Sequence, residues 1–219
     1  MKKILLSGLL LFCLLAASAQ LVVSDNSNGT QLAQILAGTG VTISNVQFNC
    51  PQGASGTFNC VNCDLGIQNG IVLTSGSVDS VPGPNDLSGS GNDNLASGDP
   101  DLDNLVSDIT YDACVLEFDM KVLSDSVQFN YVFGSEEYLE FVGSTYNDVF
   151  AFFISGPGVP FQNIALVPGT ATPVSINNVN STSYSQYYVD NGDGFTSPYD
   201  TNPYYIQYDG FTKVLTAKK

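Results

Sequence analysis

Two groups of oxygen-bearing side chains could do chemistry in this chain. The first lies between two strongly apolar runs, residues 127–133 and 149–154. Its candidate ligands are Glu136, Glu137, Asn147 and Asp148. Carboxylates crowded between buried strands repel one another unless a positive charge neutralises them. The pattern favours a cation site with oxygen ligands, and a solvated acidic turn is the simpler alternative.

The second group lies in residues 81–111, a long segment with no regular hydrophobic period. Its candidate ligands alternate along the chain as Asp99, Asp101 and Asp103, a spacing that lets a loop wrap a hard cation. A helix–loop–helix calcium site is excluded, because Asn104 and Thr110 replace the glycine and the bidentate glutamate that it needs. We predict that both groups together bind calcium, with a solvated acidic loop as the alternative.

The elements that must position these residues are strands. Apolar and polar residues alternate at 114–121 and again at 127–133, whereas 149–154 is apolar on both faces, as in a central strand. Many short strands separated by turn signals predict an all-β fold, a two-sheet sandwich of jelly-roll type. One short N-terminal helix is expected at residues 31–37, with Thr30 as its cap and Gly38 at its end.

The N-terminal residues 1–19 have the pattern of a secretory signal peptide. Lys2 and Lys3 form its positive region, and the apolar run at 4–15 is too short to span a bilayer. Small residues at 17–19 predict cleavage near Ala19. We therefore expect a single exported domain, 20–219, that is secreted or held at the cell surface and does not insert into the membrane after cleavage.

The charge balance excludes several classes of function. The formal net charge is −15, arginine and histidine are absent, and Lys121 is the one basic residue between positions 4 and 212. Binding to a phosphate backbone requires clustered basic residues, so nucleic acid is excluded as a partner. Histidine-based triads and histidine metal sites are excluded as well.

Four cysteines remain after the predicted cleavage, and an oxidising compartment allows them to pair. They are Cys50, Cys60, Cys63 and Cys114, which permit three pairings. We expect one local bridge from Cys50 to Cys60 or Cys63, with Cys114 as a small core residue. A zinc site at Cys60 and Cys63 is the alternative.

A tyrosine-rich run near the C-terminus is a candidate carbohydrate-binding surface, since proteins commonly bind sugars through aromatic faces beside carboxylates and amides. Half-buried strand positions are the alternative. The run comprises Tyr184, Tyr187, Tyr188, Tyr199, Tyr204, Tyr205 and Tyr208.

Several motifs along the chain together resemble the choice-of-anchor L domain, which occurs in exported bacterial surface proteins, often of Bacteroidota. They include QLAQILAGTGVTISNVQF (31–48), GDPDLDNL (98–105), FNYVFGSEEYLEFV (129–142), YNDVFAFFISGPG (146–158) and YDGFTKVLTA (208–217). The resemblance implies a β-rich extracellular module without an established enzymatic activity. Family members usually continue with further strands after the YDGFT segment, so the resemblance also implies a domain that is incomplete at its C-terminal end.

These observations predict an exported interaction or adhesion module that is stabilised by calcium and binds a surface protein or a glycan. A structural spacer within a larger surface protein is the main alternative. A secreted glycan-active enzyme is the other alternative, with Glu137 and Asp148 as its carboxylate pair.

Overall fold

The computed structural model describes residues 20–196 and 204–219, which leaves the predicted signal peptide and Tyr199 outside the described residues. Short strands dominate these ranges. The strands are β1 Gln20–Asp25, β2 Val41–Asn49, β3 Ser55–Val61, β4 Asn69–Leu73, β5 Val115–Val122, β6 Gln128–Tyr131, β7 Gly134–Ser135, β8 Val149–Phe150, β9 Phe153–Gly156, β10 Val159–Asn163, β11 Val174–Ser175, β12 Tyr188–Asp190, β13 Gly210–Thr212 and β14 Leu215–Lys218. The α-helices are α1 Gly29–Leu36 and α2 Pro100–Asp103.

The described strands form antiparallel sheets of two or three members. Their orders are β1-β3-β4, β2-β5, β14-β6, β12-β13-β7, β11-β8 and β10-β9. The predicted all-β class is confirmed, while the two-sheet jelly-roll arrangement stays a prediction. One expected strand is interrupted: residues 149–154 divide between β8 and β9, which pair with different partners.

The ribbon formed by β2 and β5 shows the alternation read from the sequence. Leu116, Phe118 and Met120 are partly buried, whereas Glu117 and Asp119 are exposed. Apolar side chains can therefore face one side of this ribbon without placing a charge among them.

The register of this ribbon explains a disulfide that the sequence analysis did not expect. Asn49 of β2 pairs with Val115 of β5, so the next residues outward, Cys50 and Cys114, face each other and form a disulfide. A second disulfide joins Cys60 to Cys63 at the end of β3. The expected local bridge from Cys50 was wrong, because strand pairing brings a distant cysteine closer than the sequence neighbours. Cys60 and Cys63 are bonded to each other, which also removes the zinc alternative.

The short N-terminal helix is confirmed, but its cap was assigned to the wrong residue. The helix begins at Gly29, and the side chain of Asn28 accepts a hydrogen bond from the Gln31 N–H. Asparagine satisfies this free N–H while its own backbone stays extended. Leu32 and Ala33 are fully buried and anchor the helix to the sheets.

Two apolar clusters hold the described part of the chain together. The larger cluster centres on Tyr138, Ile176 and Leu215; it includes Tyr131 of β6, against which the Phe150 ring of β8 packs. The smaller cluster centres on Leu21 and Phe211. Strand β13 lies between them, and its Gly210 leaves room for two rings: an added Cβ would come within 2.8 Å of Tyr138 and 2.7 Å of Tyr188.

Candidate functional site

A polar cleft of about 880 Å³ is the candidate functional site. Residues 74–80 and 90–97 form one part of it, and residues 134–148 form another. Five carboxylate side chains line the cleft, and none of its described lining residues is lysine or arginine. The five are Asp93, Asp112, Glu136, Glu137 and Asp148.

Strand β7 places three of these carboxylates next to one another. It pairs with β13 through Ser135 and Gly210, and Glu136 and Glu137 follow directly. The Ser135 hydroxyl donates a hydrogen bond to Asp148 Oδ2 at 2.7 Å and accepts one from the Glu137 N–H at 3.0 Å. One hydroxyl therefore links the two ends of the loop 136–147 and holds Asp148 beside Glu137.

Two further contacts hold this loop on the larger core. Tyr138 is fully buried, and its hydroxyl donates to the Val179 carbonyl at 2.6 Å. The Asn177 side chain accepts from the Gly143 N–H and donates to the Ser144 carbonyl. Both ends and the middle of the loop are thus anchored, and Glu136 and Glu137 are held partly buried, whereas Glu140 is exposed.

The confinement raises the pKa of every carboxyl group in this segment for which a shift is resolved. Burial, followed by the charge of Asp209, raises the pKa of Glu136 to about 8. Burial, followed by the charges of Asp148 and Glu140, raises the pKa of Glu137. Burial also raises the pKa of Asp148, although the hydrogen bond from Ser135 partly offsets this. These groups are short of positive partners, which a bound cation or cationic group would supply.

The three alternating aspartates of the long segment lie elsewhere and are used differently. Asp99 caps α2 by accepting hydrogen bonds from the N–H groups of Asp101 and Leu102. Asp103 accepts from the N–H and the hydroxyl of Thr110, at 2.6 and 2.7 Å, and these bonds lower its pKa. Asp101 is exposed. None of the three lines the cleft.

The predicted ligand set is thus only partly brought together. Glu136, Glu137 and Asp148 share the cleft, whereas the side chain of Asn147 accepts a hydrogen bond from the Asn177 N–H. Within the described residues, no three acidic, cysteine or histidine side chains are grouped closely enough to hold a metal ion on their own. Calcium binding stays a prediction, and an ion here would need oxygens beyond three protein carboxylates.

Sequence reasoning missed several residues of the site. Asp112 lines the cleft and accepts hydrogen bonds from the N–H groups of Asn94 and Ala96. Tyr111 and Tyr146 also line it, and these residues are 68 % and 63 % exposed. No periodicity in the sequence distinguishes these two tyrosines from buried ones.

The tyrosine-rich run is instead used mainly for packing. Tyr188 is buried in the larger core, with its ring centroid 4.9 Å from that of Tyr138, and Tyr184 and Tyr187 pack beside it. Tyr204, Tyr205 and Tyr208 pack against the smaller core. Among the described members of the run, only Tyr208 reaches the cleft.

A second cavity, of about 340 Å³, is an apolar groove between α1, the β2–β5 ribbon and β6. Its described lining includes Ile43, Phe118, Met120 and Phe129 and contains no ionisable side chain. The groove is therefore not a site for acid–base chemistry or for a cation.

Comparison with known proteins identifies the family. The family model of the choice-of-anchor L domain matches residues 21–219, nearly the whole chain. The chain belongs to the choice-of-anchor L family. No curated protein and no solved structure gives a significant match.

Membership places the chain among surface-associated protein domains, in a family that is not an enzyme family. It also agrees with an extracellular or cell-surface location. In the part of the chain that the structure describes, no helix is long and apolar enough to cross a membrane. The polar cleft is thus the candidate ligand site of a choice-of-anchor L domain.

Proposed function

We propose that this choice-of-anchor L domain is an exported adhesion module that binds a glycan or a protein ligand in the polar cleft, with a calcium ion contributing to the site. The observation that carries the proposal is the pair of exposed tyrosine rings beside the cleft carboxylates. Tyr111 and Tyr146 expose more than half of their surface although buried positions for tyrosine are plentiful in this fold.

The rim of the cleft supports binding rather than a purely spacing role. Leu95 is 88 % exposed and lines the same cleft as the two tyrosines. Phe141 stands beside Tyr146 in an edge-to-face contact, with ring centroids 5.0 Å apart. Scattered apolar residues are normal on a surface, but a group of them at one concave polar site marks a contact surface. A spacer domain has no need of such a group.

The charge of the cleft supports the calcium part of the proposal. Glu136, Glu137 and Asp148 are crowded and partly shielded from water, which favours a hard cation with oxygen ligands. Calcium takes six to eight oxygens, so the protein carboxylates leave coordination positions for water or for ligand hydroxyls. An ion held in this way would connect the acidic floor of the cleft to a hydroxyl-rich ligand that stacks on the rim tyrosines.

The proposal is tested by screening the purified protein against an array of glycans and candidate surface proteins, followed by calorimetry on the hits. The double variant Tyr111→Ala/Tyr146→Ala should weaken binding by at least about tenfold, because each lost ring contact contributes on the order of 1 kcal/mol. Phe161→Ala is the matched control, since this exposed ring lies outside the cleft lining.

Two outcomes would contradict the proposal. The first is the absence of any ligand in the screen with calcium present, which would support the spacer function. The second is a ligand whose affinity is the same for the double variant and for the Phe161→Ala control, which would place the binding surface elsewhere.

A further inference from the structure

Strand β5 has one edge that pairs with β2 and one edge that pairs with no other described strand. The β2–β5 ribbon is a sheet of two members only, and its register runs along the whole of β5, Val115–Val122. The unpaired edge of a strand presents a row of N–H and C=O groups and is therefore a template for pairing with another strand.

The hydrogen bonding to β2 determines which residues of β5 point outward. The Leu123 N–H donates to the Gly40 carbonyl at 3.1 Å, directly beyond the end of the ribbon. Along an antiparallel strand, residues alternate between pointing both backbone groups at the partner strand and pointing both away from it. Lys121 and Asp119 therefore point at β2. The residues that point outward are Phe118, Met120 and Val122, and within the described ranges no backbone hydrogen bond from another element reaches them.

The two faces of β5 differ in character along this edge. The side chains of Phe118, Met120 and Val122 are partly buried and line the apolar groove. Asp119 and Lys121 are exposed and lie on the opposite face, because side chains alternate along a strand. Lys121 is also the one basic residue between positions 4 and 212. The free edge thus combines an apolar face with a charge of each sign.

A second copy of β5 is complementary to this edge. Antiparallel pairing about a two-fold axis at Met120 sets Met120 opposite its own counterpart and Phe118 opposite Val122 of the second copy. All of these residues point outward, so each pair can exchange two backbone hydrogen bonds, about six in total. The same register sets Asp119 opposite Lys121 of the second copy, and symmetry repeats this contact. Opposite charges at such cross-strand positions are favourable, and side chains lie closest at the positions that are not hydrogen-bonded.

The neighbouring registers are less favourable. An axis at Asp119 sets two aspartates opposite each other, and an axis at Lys121 sets two lysines opposite each other, which is destabilising. An axis between two residues would place outward-pointing groups opposite inward-pointing ones, and the backbone hydrogen bonds would be lost. Charge and hydrogen bonding therefore select one register. They also select a second copy as the occupant, because each half of the segment supplies what the other half requires.

We propose that this chain self-associates through the free edge of β5, forming a symmetric dimer with a continuous sheet in the order β2-β5-β5-β2. The apolar faces of the two ribbons would then adjoin, which removes more of their partly exposed side chains from water. No residue of β2 or β5 belongs to the described lining of the polar cleft, so each copy keeps its cleft free. The inference does not depend on the proposed function, and a dimer would present two clefts to a surface.

The experiment is sedimentation velocity of the purified protein. A short interface predicts a weak dimer, so the protein should pass from monomer to dimer between about 5 and 500 μM at about 0.15 M salt. Lys121→Asp and Asp119→Lys each set like charges opposite one another and should weaken self-association by at least about tenfold. Lys213→Asp is the matched control, because it changes the net charge equally at an exposed position between β13 and β14. This control should dimerise as the unmodified protein does.

Mixing the two charge variants gives a test that misfolding cannot imitate. A Lys121→Asp copy opposite an Asp119→Lys copy has one cation and one anion in each cross-strand pair. The mixture should therefore form a heterodimer at concentrations where each variant alone sediments as a monomer. Recovery of the dimer would show that both variants are folded and that these two positions face each other across the interface.

Amide hydrogen exchange followed by NMR provides a second readout, which reports the register. Raising the protein concentration should slow exchange at the outward-pointing N–H groups of Phe118, Met120 and Val122. The N–H groups of Asp119 and Lys121 already point at β2, so their exchange rates should change much less. An alternating pattern of this kind is specific to pairing at the edge of β5.

Three results would overturn the inference. A monomer across the whole concentration range would show that Lys121 protects the edge from pairing, as lysine commonly does on edge strands. A dimer that persists in both single charge variants would place the interface elsewhere, and so would protection from exchange that falls outside β5. These measurements involve no ligand. Failure of the dimer with intact ligand binding therefore rejects only this inference, and a dimer without ligand binding rejects only the adhesion proposal.

Discussion

The long loop at residues 94–112 and the cleft segment at residues 135–148 are both acidic, but their carboxylates have opposite environments. In the long loop, Asp103 and Asp112 accept hydrogen bonds from nearby N–H or hydroxyl groups, and the pKa of Asp103 falls below its usual range. In the cleft segment, Glu136 and Glu137 are crowded and shielded, and the pKa of each rises above its usual range.

This difference teaches that residue type and spacing alone do not decide whether an acidic side chain stabilises its own loop or is left without hydrogen-bond donors. Alternating aspartates looked like cation ligands in the sequence, yet Asp99 and Asp103 organise their own loop. A carboxylate that is supplied with donors stabilises the fold, whereas one that is deprived of donors is available for a ligand. If this distinction holds, removing a carboxylate should have opposite effects on stability in the two segments.

The largest expected effect is an unusual dependence of stability on pH in metal-free protein. The pKa of Glu136 rises from 4.5 to about 8 and that of Asp209 from 3.8 to about 7, so the folded state holds more protons than the unfolded state between these values. Stability is therefore present at low pH and is lost as pH rises through the folded values. Discounted to about half for solvent screening, the two shifts predict a loss on the order of 3 kcal/mol between pH 5 and pH 8, measured by urea unfolding with chelator. A free energy of unfolding that does not change with pH would contradict this prediction. The Glu136→Gln variant should show a weaker dependence on pH.

Removing a hydrogen-bonded carboxylate of the long loop should lower the stability of the fold. Asp112 is 8 % exposed and accepts hydrogen bonds from two backbone N–H groups, at 3.0 Å from Asn94 and 2.6 Å from Ala96. Asp112→Ala leaves both donors without an acceptor and should lower the free energy of unfolding by about 2 kcal/mol at pH 7. Urea unfolding measures this, with the exposed Asp125→Ala as the control. A change no larger than that of the control would show that the loop does not need this carboxylate.

Removing the charge of Glu137 should change the free energy of unfolding less, and in the opposite direction. Its charge lies near those of Asp148 and Glu140, so Glu137→Gln removes repulsion. The metal-free protein should gain about 0.5 kcal/mol at pH 7, a modest figure because Glu137 is partly solvated. Chemical unfolding of this variant beside Glu117→Gln gives the comparison, and destabilisation would mean that Glu137 has a favourable partner.

The smallest effect concerns the titration of a single group. The N–H and hydroxyl of Thr110 hold the pKa of Asp103 below its usual range. Thr110→Val removes the hydroxyl donor but keeps the N–H, so the pKa of Asp103 should rise part of the way to its usual value. Carboxyl-detected NMR titration measures the change, with Thr42→Val as the control. An unchanged pKa would mean that the N–H alone sets it.

Local pattern was enough to predict the class of the fold but not the contacts of the site. Alternation along β5 and the presence of α1 followed from residues close together in the chain, where side-chain period and capping chemistry act. The pairing of Cys50 with Cys114 depended on the register between β2 and β5, which no local signal specifies. For the same reason the exposed Tyr111 could not be distinguished from the buried Tyr188.

The sequence by itself determined an acidic, strand-rich chain without histidine or arginine, a composition that rules out histidine chemistry and predicts that the chain does not bind nucleic acid. It also carried the motifs of the choice-of-anchor L family. Only the tertiary structure decided which distant segments of the chain lie side by side: Ser135, which precedes Glu136, pairs with Gly210, which follows Asp209, where β7 meets β13. Tertiary structure likewise decided which carboxylates receive donors, since burial and hydrogen bonding depend on the segments that fold against each residue.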